Sequence, residues 1–475
     1  MSSIKVNTDA RTAPVIEQER FTCAIGALQS VVAIPRAVPI LHSGPGCGTM
    51  IHGFFDKTGY AGGNTSPCTN FSEKETVYGG IDKLRKLIEN TYKILDTDLQ
   101  VVVTGCTSGL VGDDVGSLVD EFRAEGKPIV WVDTPGFKST NLVSHSALVN
   151  AIIDQYSDGF KKTPRSNKKL VNLFASIPCQ DPFWQGNLRE YKRLLEGIGF
   201  TVNVLFGSES DGVSEWQNIS NANFNILVSP WYGEPIVQNL EKKYKQPYYH
   251  FGYIPIGSTE TIKFLNGLIE FALANGAEID KDKAFAFIEK QRAAYYDEIA
   301  DLASFLLEFR YGLPNKAHIL HESGYVLGLS KFLLHETGIV PHEVFITDGT
   351  PEKYQAQIAE ELKRTSDKKT IPLYFTPDAG QAQAIIREIA TPSDTQKHIA
   401  FNERTESKDD LKNKGRGLII GSSWEKSLAR DIKYQFVPAA LPMVYRLVLT
   451  TNYVGFTGGL RVIEDVYNNA LSYYK

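Results

Sequence analysis

Apolar and polar positions along the chain alternate in blocks, with a short apolar run repeatedly followed by a longer amphipathic stretch. Residues 99–106, LQVVVTGC, precede a helical pattern at residues 115–126, VGSLVDEFRAEG. Residues 168–178, KKLVNLFASIP, precede the helical pattern of residues 187–200 in the same way. Continuous runs rich in Val, Ile and Phe are typical of parallel strands that are covered on both faces. The pattern therefore predicts an α/β protein whose parallel sheets are flanked by helices.

Two polar stretches separate groups of these blocks. Residues 160–169, FKKTPRSNKK, have the composition of a linker, and residues 309–318, FRYGLPNKAH, follow a long helical segment. A chain of 475 residues is too long for one hydrophobic core. We predict three Rossmann-like domains, over residues 1–165, 166–310 and 311–475, the last of which ends in a C-terminal helix.

Charge and composition exclude several classes of partner. The chain has 50 basic and 55 acidic side chains, a net charge of −5, which gives no electrostatic reason to expect nucleic acid. We find no apolar stretch long enough to span a bilayer and no signal peptide at the N-terminus. We therefore expect a cytoplasmic protein that binds neither nucleic acid nor membrane. The glycine-rich turns do not match the dinucleotide or P-loop fingerprints, so nucleotide binding by this chain has no direct support.

The cysteines are the candidate chemical groups. An odd number of cysteines spread through a large chain does not indicate a disulfide framework. They are Cys23, Cys47, Cys68, Cys106 and Cys179.

Two interpretations of these cysteines are open. A single cysteine in a globular protein is most often a small buried hydrophobic residue, and this interpretation suits Cys68 and Cys179. Cys23, Cys47 and Cys106 are flanked by Gly and Ser, and Cys106 falls at the carboxyl end of a predicted central strand. These features favour soft-metal ligation by thiolates. The spacing fits no zinc finger or short ferredoxin motif, so a shared site would have to be assembled by folding.

A succession of motifs around these cysteines resembles the nitrogenase component 1 superfamily, and the resemblance covers nearly the whole chain. The motifs are CAIGA (23–27), HSGPGCG (42–48), NFSEKETVYGGIDKLRKLI (70–88), TGCTSGLVGDDVGSLVDEF (104–122), DPFWQGNLREYKRLLEGIGFTVNVLFG (181–207) and RGLIIGSSWEKSLARD (416–431). The resemblance implies that Cys23, Cys47 and Cys106 ligate an iron–sulfur cluster of the P-cluster type, with eight irons and seven sulfides. Such a cluster is shared with a homologous subunit across a pseudo-two-fold interface.

The same resemblance identifies which subunit type this chain matches. The catalytic α-type subunit adds a cysteine after a middle-domain strand and a histidine in the last domain, both of which bind its cofactor. Here Ser229, Pro230 and Trp231 stand at the place of that cysteine, and residues 436–475 contain no histidine. Residues 453–468, YVGFTGGLRVIEDVYN, are similar to the ending of the β-type subunit. The chain is therefore interpreted as the β-type, non-catalytic partner.

The resemblance implies an electron-relay function. A β-type subunit receives electrons from an ATP-dependent iron protein and passes them through the shared cluster to the cofactor of the α-type subunit, in an α2β2 heterotetramer. HSGPGC differs from the HGGQGC or HGSQGC of strict β subunits, which favours a nitrogenase-like reductase, such as the methylthio-alkane reductase type. The alternatives are a scaffold on which the cofactor is assembled, and a ligand-binding protein of wound α/β domains with merely buried cysteines.

Other polar residues near these motifs have less specific interpretations. His42 is compatible with a hydrogen bond or proton transfer to a cluster, and equally with a hydrogen-bonded histidine at a strand end. Asp113 and Asp114 are interpreted as helix caps rather than as a catalytic pair. His335 and His342 lie on either side of a Gly-Ile-Val-Pro turn, and we do not expect a metal site between them.

Overall fold

The computed structural model describes residues 23–50, 66–160, 163–309, 314–366, 370–390 and 417–473. Its strands form three sheets, in the orders β1-β2-β3, β5-β4-β6-β7 and β10-β9-β8-β11-β12. Every strand pairing in them is parallel. The strands are β1 (Ala37–His42), β2 (Leu99–Thr104), β3 (Ile129–Asp133), β4 (Asn167–Phe174), β5 (Thr201–Asn203), β6 (Ala222–Val228), β7 (Tyr248–Phe251), β8 (Lys316–His321), β9 (Val340–Ile346), β10 (Leu373–Phe375), β11 (Leu418–Gly421) and β12 (Gln435–Pro438). The predicted α/β fold class is confirmed.

Helices connect and cover these strands. The α-helices are Ile25–Val32, Glu73–Tyr78, Ile81–Ile94, Cys106–Val111, Val115–Ala124, Asn141–Gln155, Trp184–Gly197, Val213–Asn218, Glu234–Tyr244, Gly257–Ala274, Lys281–Phe309, Ser323–Phe332, Glu352–Lys363, Ala379–Ile389, Glu425–Asp431 and Gly455–Tyr473. Residues 45–50 are also helical, and shorter 3-10 or π turns occur at Ser157–Phe160, Ile219–Asn221 and Leu333–Thr337. Within the described ranges, we find no helix with both the length and the apolar character needed to cross a membrane.

The central strands are apolar because helices cover both faces of each sheet. All six residues of β2 and all seven of β6 are buried. Val101 and Val103 belong to the main core, together with residues of helix Ile25–Val32, whereas Val102 lies in a second core with residues of helices Ile81–Ile94 and Val115–Ala124. Alternate residues of one strand thus enter two cores, which explains the continuous apolar runs in the sequence.

The C-terminal helix Gly455–Tyr473 packs on elements of the middle of the chain. It contacts helices Gly257–Ala274 and Lys281–Phe309, and it also contacts β12 of the third sheet. A Cβ built on Gly459 would lie 2.5 Å from Gly257 Cα, so the two helices approach closely where neither has a side chain. The predicted division between residues 310 and 311 lies outside the described residues. Both predicted domain boundaries stay predictions.

Candidate cluster-binding site

The carboxyl ends of β1, β2 and β3 meet at one edge of the first sheet and carry two of the three candidate cysteines. Cys47 lies in the helical stretch 45–50 that follows β1, and Cys106 is the first residue of helix Cys106–Val111, which follows β2. Gly136 lies in the loop after β3. Loops at this edge of a parallel sheet are the usual place for binding sites in wound α/β domains.

Cys23 and Cys106 lie against Gly136 from two sides, although they are far apart in sequence. A Cβ built on Gly136 would lie 2.8 Å from Cys23 Cβ, 3.3 Å from Cys106 Sγ and 3.7 Å from Cys23 Sγ. The Gly136 backbone N–H donates a hydrogen bond to Cys106 Sγ at 3.2 Å. Only glycine leaves room for both thiols at this point, and its N–H is directed to where a thiolate would carry negative charge.

Tight packing of the strand ends fixes the backbone at Cys106. A Cβ built on Gly105 would lie 2.3 Å from Ser43 Oγ, so a larger residue would push the ends of β1 and β2 apart. Ser108 Oγ donates a hydrogen bond to the His42 carbonyl oxygen at 2.5 Å, which ties the helix that begins at Cys106 to the end of β1. The position of this cysteine therefore follows from main-chain packing rather than from a flexible loop.

Cys47 belongs to the same group of thiols. Burial raises the pKa of the Cys23 thiol, and the negative charges that Cys106 and Cys47 would carry as thiolates raise it further. All three cysteines are partly exposed. Their sulfur atoms do not all lie within 4.8 Å of one another, so they do not form a site for one ion. An iron–sulfur cluster contains several iron atoms that separate thiolates would hold, and three partly exposed cysteines fit such a cluster.

Cys68 lies next to the predicted group, which sequence reasoning did not anticipate. It forms an isolated parallel bridge with Leu41, and a Cβ built on Gly48 would lie 3.4 Å from Cys68 Sγ. Burial raises the pKa of the Cys68 thiol, and the neighbouring Cys47 also raises it. Its S–H has carbonyl acceptors at Ser43 and Gly44, at 3.5 Å and 3.7 Å. Its Sγ also accepts a hydrogen bond from the Asn70 N–H at 3.4 Å, and a thiol that both donates and accepts suits the interpretation of Cys68 as a structural residue.

Cys179 is far less accessible than the other cysteines. Its side chain is buried in the main core, and burial raises the pKa of its thiol to about 12. A thiol with such a pKa stays protonated and packs as a small apolar group.

His42 is the last residue of β1, and its Nε2 contacts Asp113 rather than a sulfur atom. His42 is fully buried, and its Nε2 lies 2.9 Å from Asp113 Oδ2. Asp113 also accepts hydrogen bonds from the Gly80 N–H, and burial lowers the pKa of His42. Asp114 accepts from the Ser117 N–H and caps the following helix, as interpreted from the sequence. Asp113 instead links His42, at the end of β1, to Gly80, the residue before helix Ile81–Ile94.

Several exposed apolar side chains lie on the Cys106 helix, beside Gly136 and on a helix that contacts the Cys106 helix. Leu110 is 77% exposed on the helix that begins at Cys106, and Phe137, next to Gly136, is 54% exposed. Helix Glu73–Tyr78, which contacts the Cys106 helix, has no buried residue and exposes Val77 and Tyr78. Contiguous exposed apolar surface marks a site of association. We call Cys23, Cys47 and Cys106, together with this apolar rim, the thiol edge.

At the corresponding edge of the second sheet, buried aromatic side chains fill the space directly beyond β6, and we call this place the closed edge. Ser229 follows β6 directly, is buried, and donates its hydroxyl to the Tyr232 carbonyl oxygen. Trp231 and Tyr232 are also buried, and Trp231 Nε1 donates at 3.3 Å to Oδ2 of Asp348, which lies in the loop after β9. The cavity beside them, lined by Gln180, Glu322 and Asp348 among others, has a volume of about 50 Å³. A larger cavity, of about 360 Å³, is lined by Pro230, Phe251 and Tyr253 among others, and none of its described lining residues is a cysteine.

Comparisons with known proteins identify the family of the chain. The profile of the family described as nitrogenase component 1 type oxidoreductase matches residues 22–471. The chain is 24% identical to the nitrogenase molybdenum-iron protein beta chain of Clostridium pasteurianum, over 97% of this chain and 95% of that one. It is also 24% identical to the protein of the same name from Methanococcus maripaludis, over 100% of this chain and 98% of that one.

A solved structure shares the fold. The structure titled nitrogenase Cp1 at pH 6.5 superposes with a TM-score of 0.74 and 20% sequence identity, covering 97% of this chain and 94% of that chain.

Proposed function

Because the chain belongs to the nitrogenase component 1 type oxidoreductase family, we propose that it is the β-type subunit of a nitrogenase-like reductase. In this role it relays electrons from an ATP-dependent iron protein to the cofactor of a homologous α-type subunit. The observation that carries the proposal is the convergence of Cys23 and Cys106 on Gly136, with Cys47 beside them, at an exposed edge of the first sheet. Such a complex works in the cytoplasm, where its ATP-dependent donor is located.

Cys23, Cys47 and Cys106 are proposed as the cluster ligands contributed by this chain. The bound P-cluster would supply one-electron transfer between the donor and the α-type subunit. The Gly136 N–H would stabilise the thiolate of Cys106, and hydrogen bonds to ligand sulfur raise the reduction potential of such centres. Gly136 therefore has two functions, since it leaves room for Cys23 and donates to Cys106.

The number of thiols on this chain implies a partner subunit. Three thiolates leave a P-cluster incomplete, and the apolar rim with Leu110 and Phe137 is the surface against which a second subunit would bury the cluster. A homologous chain that presents its own three thiolates across a pseudo-two-fold axis completes the site, and two such pairs give an α2β2 heterotetramer.

The β-type assignment is supported by the closed edge of the second sheet. The α-type subunit needs a thiolate after the middle-domain strand, whereas here Ser229 is followed by the buried Trp231 and Tyr232. The relatives from Clostridium pasteurianum and Methanococcus maripaludis are themselves called beta chains. Substrate chemistry belongs to the partner, and the HSGPGC sequence leads us to propose a methylthio-alkane type reductase rather than a dinitrogen reducer.

The test is anaerobic purification of the chain with its partner subunit, followed by iron and sulfide analysis and electron paramagnetic resonance. The variant Cys106→Ala should lose most of the iron, because a cluster that lacks one buried thiolate is poorly retained. Cys68→Ala is the matched control on the same edge and should keep its iron. Unchanged iron in Cys106→Ala would show that the ligand assignment is wrong.

A second measurement separates the reductase from an assembly scaffold. A scaffold transfers its bound cofactor to an acceptor enzyme that lacks one, whereas a reductase complex retains its cofactor through repeated turnover. Incubation of the purified complex with such an acceptor, followed by metal analysis of both proteins after separation, distinguishes the two.

A further inference from the structure

The third sheet contains an irregularity between two of its interior strands, β8 and β9, that brings two histidines and one glutamate close together. In the pairing of β8 with β9, Ala317 lies opposite Pro341, and the next aligned pair is Ile319 with Val344. One residue of β8, His318, therefore faces two residues of β9, His342 and Glu343. Such a bulge redirects side chains that a regular strand would send to opposite faces.

The three side chains converge as a result. Their candidate ligand atoms all lie within 4.8 Å of one another, which holds for this group alone among the His, Cys, Asp and Glu residues that the structure describes. His318 Nδ1 lies 3.1 Å from Glu343 Oε2, and His342 Nδ1 contacts the same oxygen. The two imidazole rings are 5.6 Å apart between centroids, with an interplanar angle of 67°.

The buried histidine of this group has Glu343 as a close polar neighbour but no well-directed hydrogen bond at Nδ1. The His318 side chain is 2% exposed, and its Nδ1 has no hydrogen bond of acceptable geometry in spite of its closeness to Glu343. A buried polar atom without a partner is costly, and a bound ion is one of the few partners that would compensate. The ring of Tyr434 stacks over His318 at 5.8 Å and 18°, which holds the imidazole in place.

We propose that His318, His342 and Glu343 bind one divalent transition-metal ion, for which Zn²⁺ is the expected occupant. Two imidazoles and one carboxylate form a ligand set that such ions use when a further coordination position remains open. The His342 side chain is 32% exposed and provides the path by which the ion enters and water completes its coordination. The ion would replace the direct contacts of both histidines with Glu343 and join β8 to β9 at the bulge.

This site is separate from the thiol edge. It lies on the third sheet and contains no sulfur ligand, so its occupancy does not depend on the cluster. His335, the histidine nearest to His342 in the sequence, does not take part, because it contacts the Thr365 carbonyl oxygen at 2.9 Å. The histidine that meets His342 is His318 on the neighbouring strand.

The experiment uses the full chain purified with its partner subunit. The protein is treated briefly with a chelator, titrated with ZnCl₂, desalted and analysed for zinc, and the bound zinc is characterised by X-ray absorption at the zinc edge. We expect one additional zinc per chain with only nitrogen and oxygen neighbours at about 2.0–2.2 Å, and no sulfur shell at about 2.3 Å.

Two variants and one matched control test the ligands. His342→Gln and Glu343→Gln should each weaken zinc binding by more than about tenfold, since even outer-shell partners of a metal contribute about 10–100-fold. His335→Gln, from the same segment of the chain, should bind zinc as the unmodified protein does. A protein that retains no zinc, a zinc–sulfur shell, or full zinc binding by His342→Gln would each overturn the proposal. The cluster iron is measured in the same samples and should be equal in all of them.

Discussion

The carboxyl ends of β2 and β6 are equivalent places in two parallel sheets, yet the residues just beyond them differ. After β2 come Gly105 and Cys106, and the thiols there stay partly exposed beside an uncovered apolar rim. After β6 comes Ser229, and Trp231 and Tyr232 close the space against the third sheet. The same topology thus yields one edge that leaves its thiols partly exposed and another where buried aromatic side chains follow the central strand. The difference is made by a few side chains at strand ends rather than by the fold.

The largest expected effect comes from adding a methyl group at Gly136, on the thiol edge. Gly136→Ala would place a methyl group 2.8 Å from Cys23 Cβ and must displace this cysteine or the loop. We expect loss of most of the cluster iron from the anaerobically purified complex. Gly46→Ala, on the same edge but with nothing within 4 Å of its new methyl group, should retain its iron. Equal iron in both variants would contradict the role given to Gly136.

A charge on the apolar rim should weaken subunit association. Leu110→Asp removes a side chain whose burial in an interface contributes about 1.5–3 kcal/mol, and it buries a carboxylate instead. The dissociation constant of the complex, measured by sedimentation, should rise at least about tenfold. Ile94→Asp is the control, because the exposure of Ile94, 78%, is close to the 77% of Leu110. Ile94 is the last residue of helix Ile81–Ile94, which precedes the amino end of β2 and so lies away from the thiol edge. A similar loss of association in both variants would argue against the proposed interface.

Opening the closed edge should cost stability without removing iron. Trp231→Ala leaves a cavity and removes the hydrogen bond to Asp348, so we expect the free energy of unfolding to fall by about 3–5 kcal/mol. Denaturant titration measures this change, and iron analysis of the folded variant should give the unmodified value. Loss of iron in folded Trp231→Ala would show that the two edges are coupled.

The smallest effect concerns His145, which lines a small cavity shared with Tyr232, near the closed edge. Burial lowers the pKa of His145 to about 3. In the unfolded chain this histidine takes up a proton near pH 6.5, so stability is complete above that pH and declines as the pH falls towards 3. The expected slope is at most about 1.4 kcal/mol per pH unit, and His145→Gln should reduce it. An unchanged slope in unfolding titrations between about pH 6.5 and about pH 4 would contradict this assignment.

Much of the architecture was readable from the sequence, since each feature had a local signal. The apolar runs at β2 and β6 predicted parallel strands, because a strand covered on both faces has no polar side to interrupt the run. The family resemblance selected three of the five cysteines, and the structure brings Cys23, Cys47 and Cys106 to one edge of the first sheet. Their role as ligands is still a prediction. The absence of a thiol after β6 was also evident directly from the residues.

Other features had no signal in the linear order of residues. Nothing in the sequence indicated that Gly136 would separate two thiols, that Cys68 would lie beside Gly48, or that Asp113 would pair with His42 rather than cap a helix. The C-terminal helix was assigned to the third domain, although it also packs on helices from the middle of the chain. Each of these contacts joins residues that are distant in sequence, so only the packing of the whole chain decides them.

By itself the sequence determined the α/β class, the family and the set of candidate thiols, because hydrophobic periodicity and residue identity are properties of short segments. The tertiary structure alone decided which thiols share an edge, which strand end is sealed, and that His318 meets His342 and Glu343. The last case shows the physical reason most clearly. A shift in register between β8 and β9 changes which side chains face each other, and register is set by the packing of both strands rather than by either one.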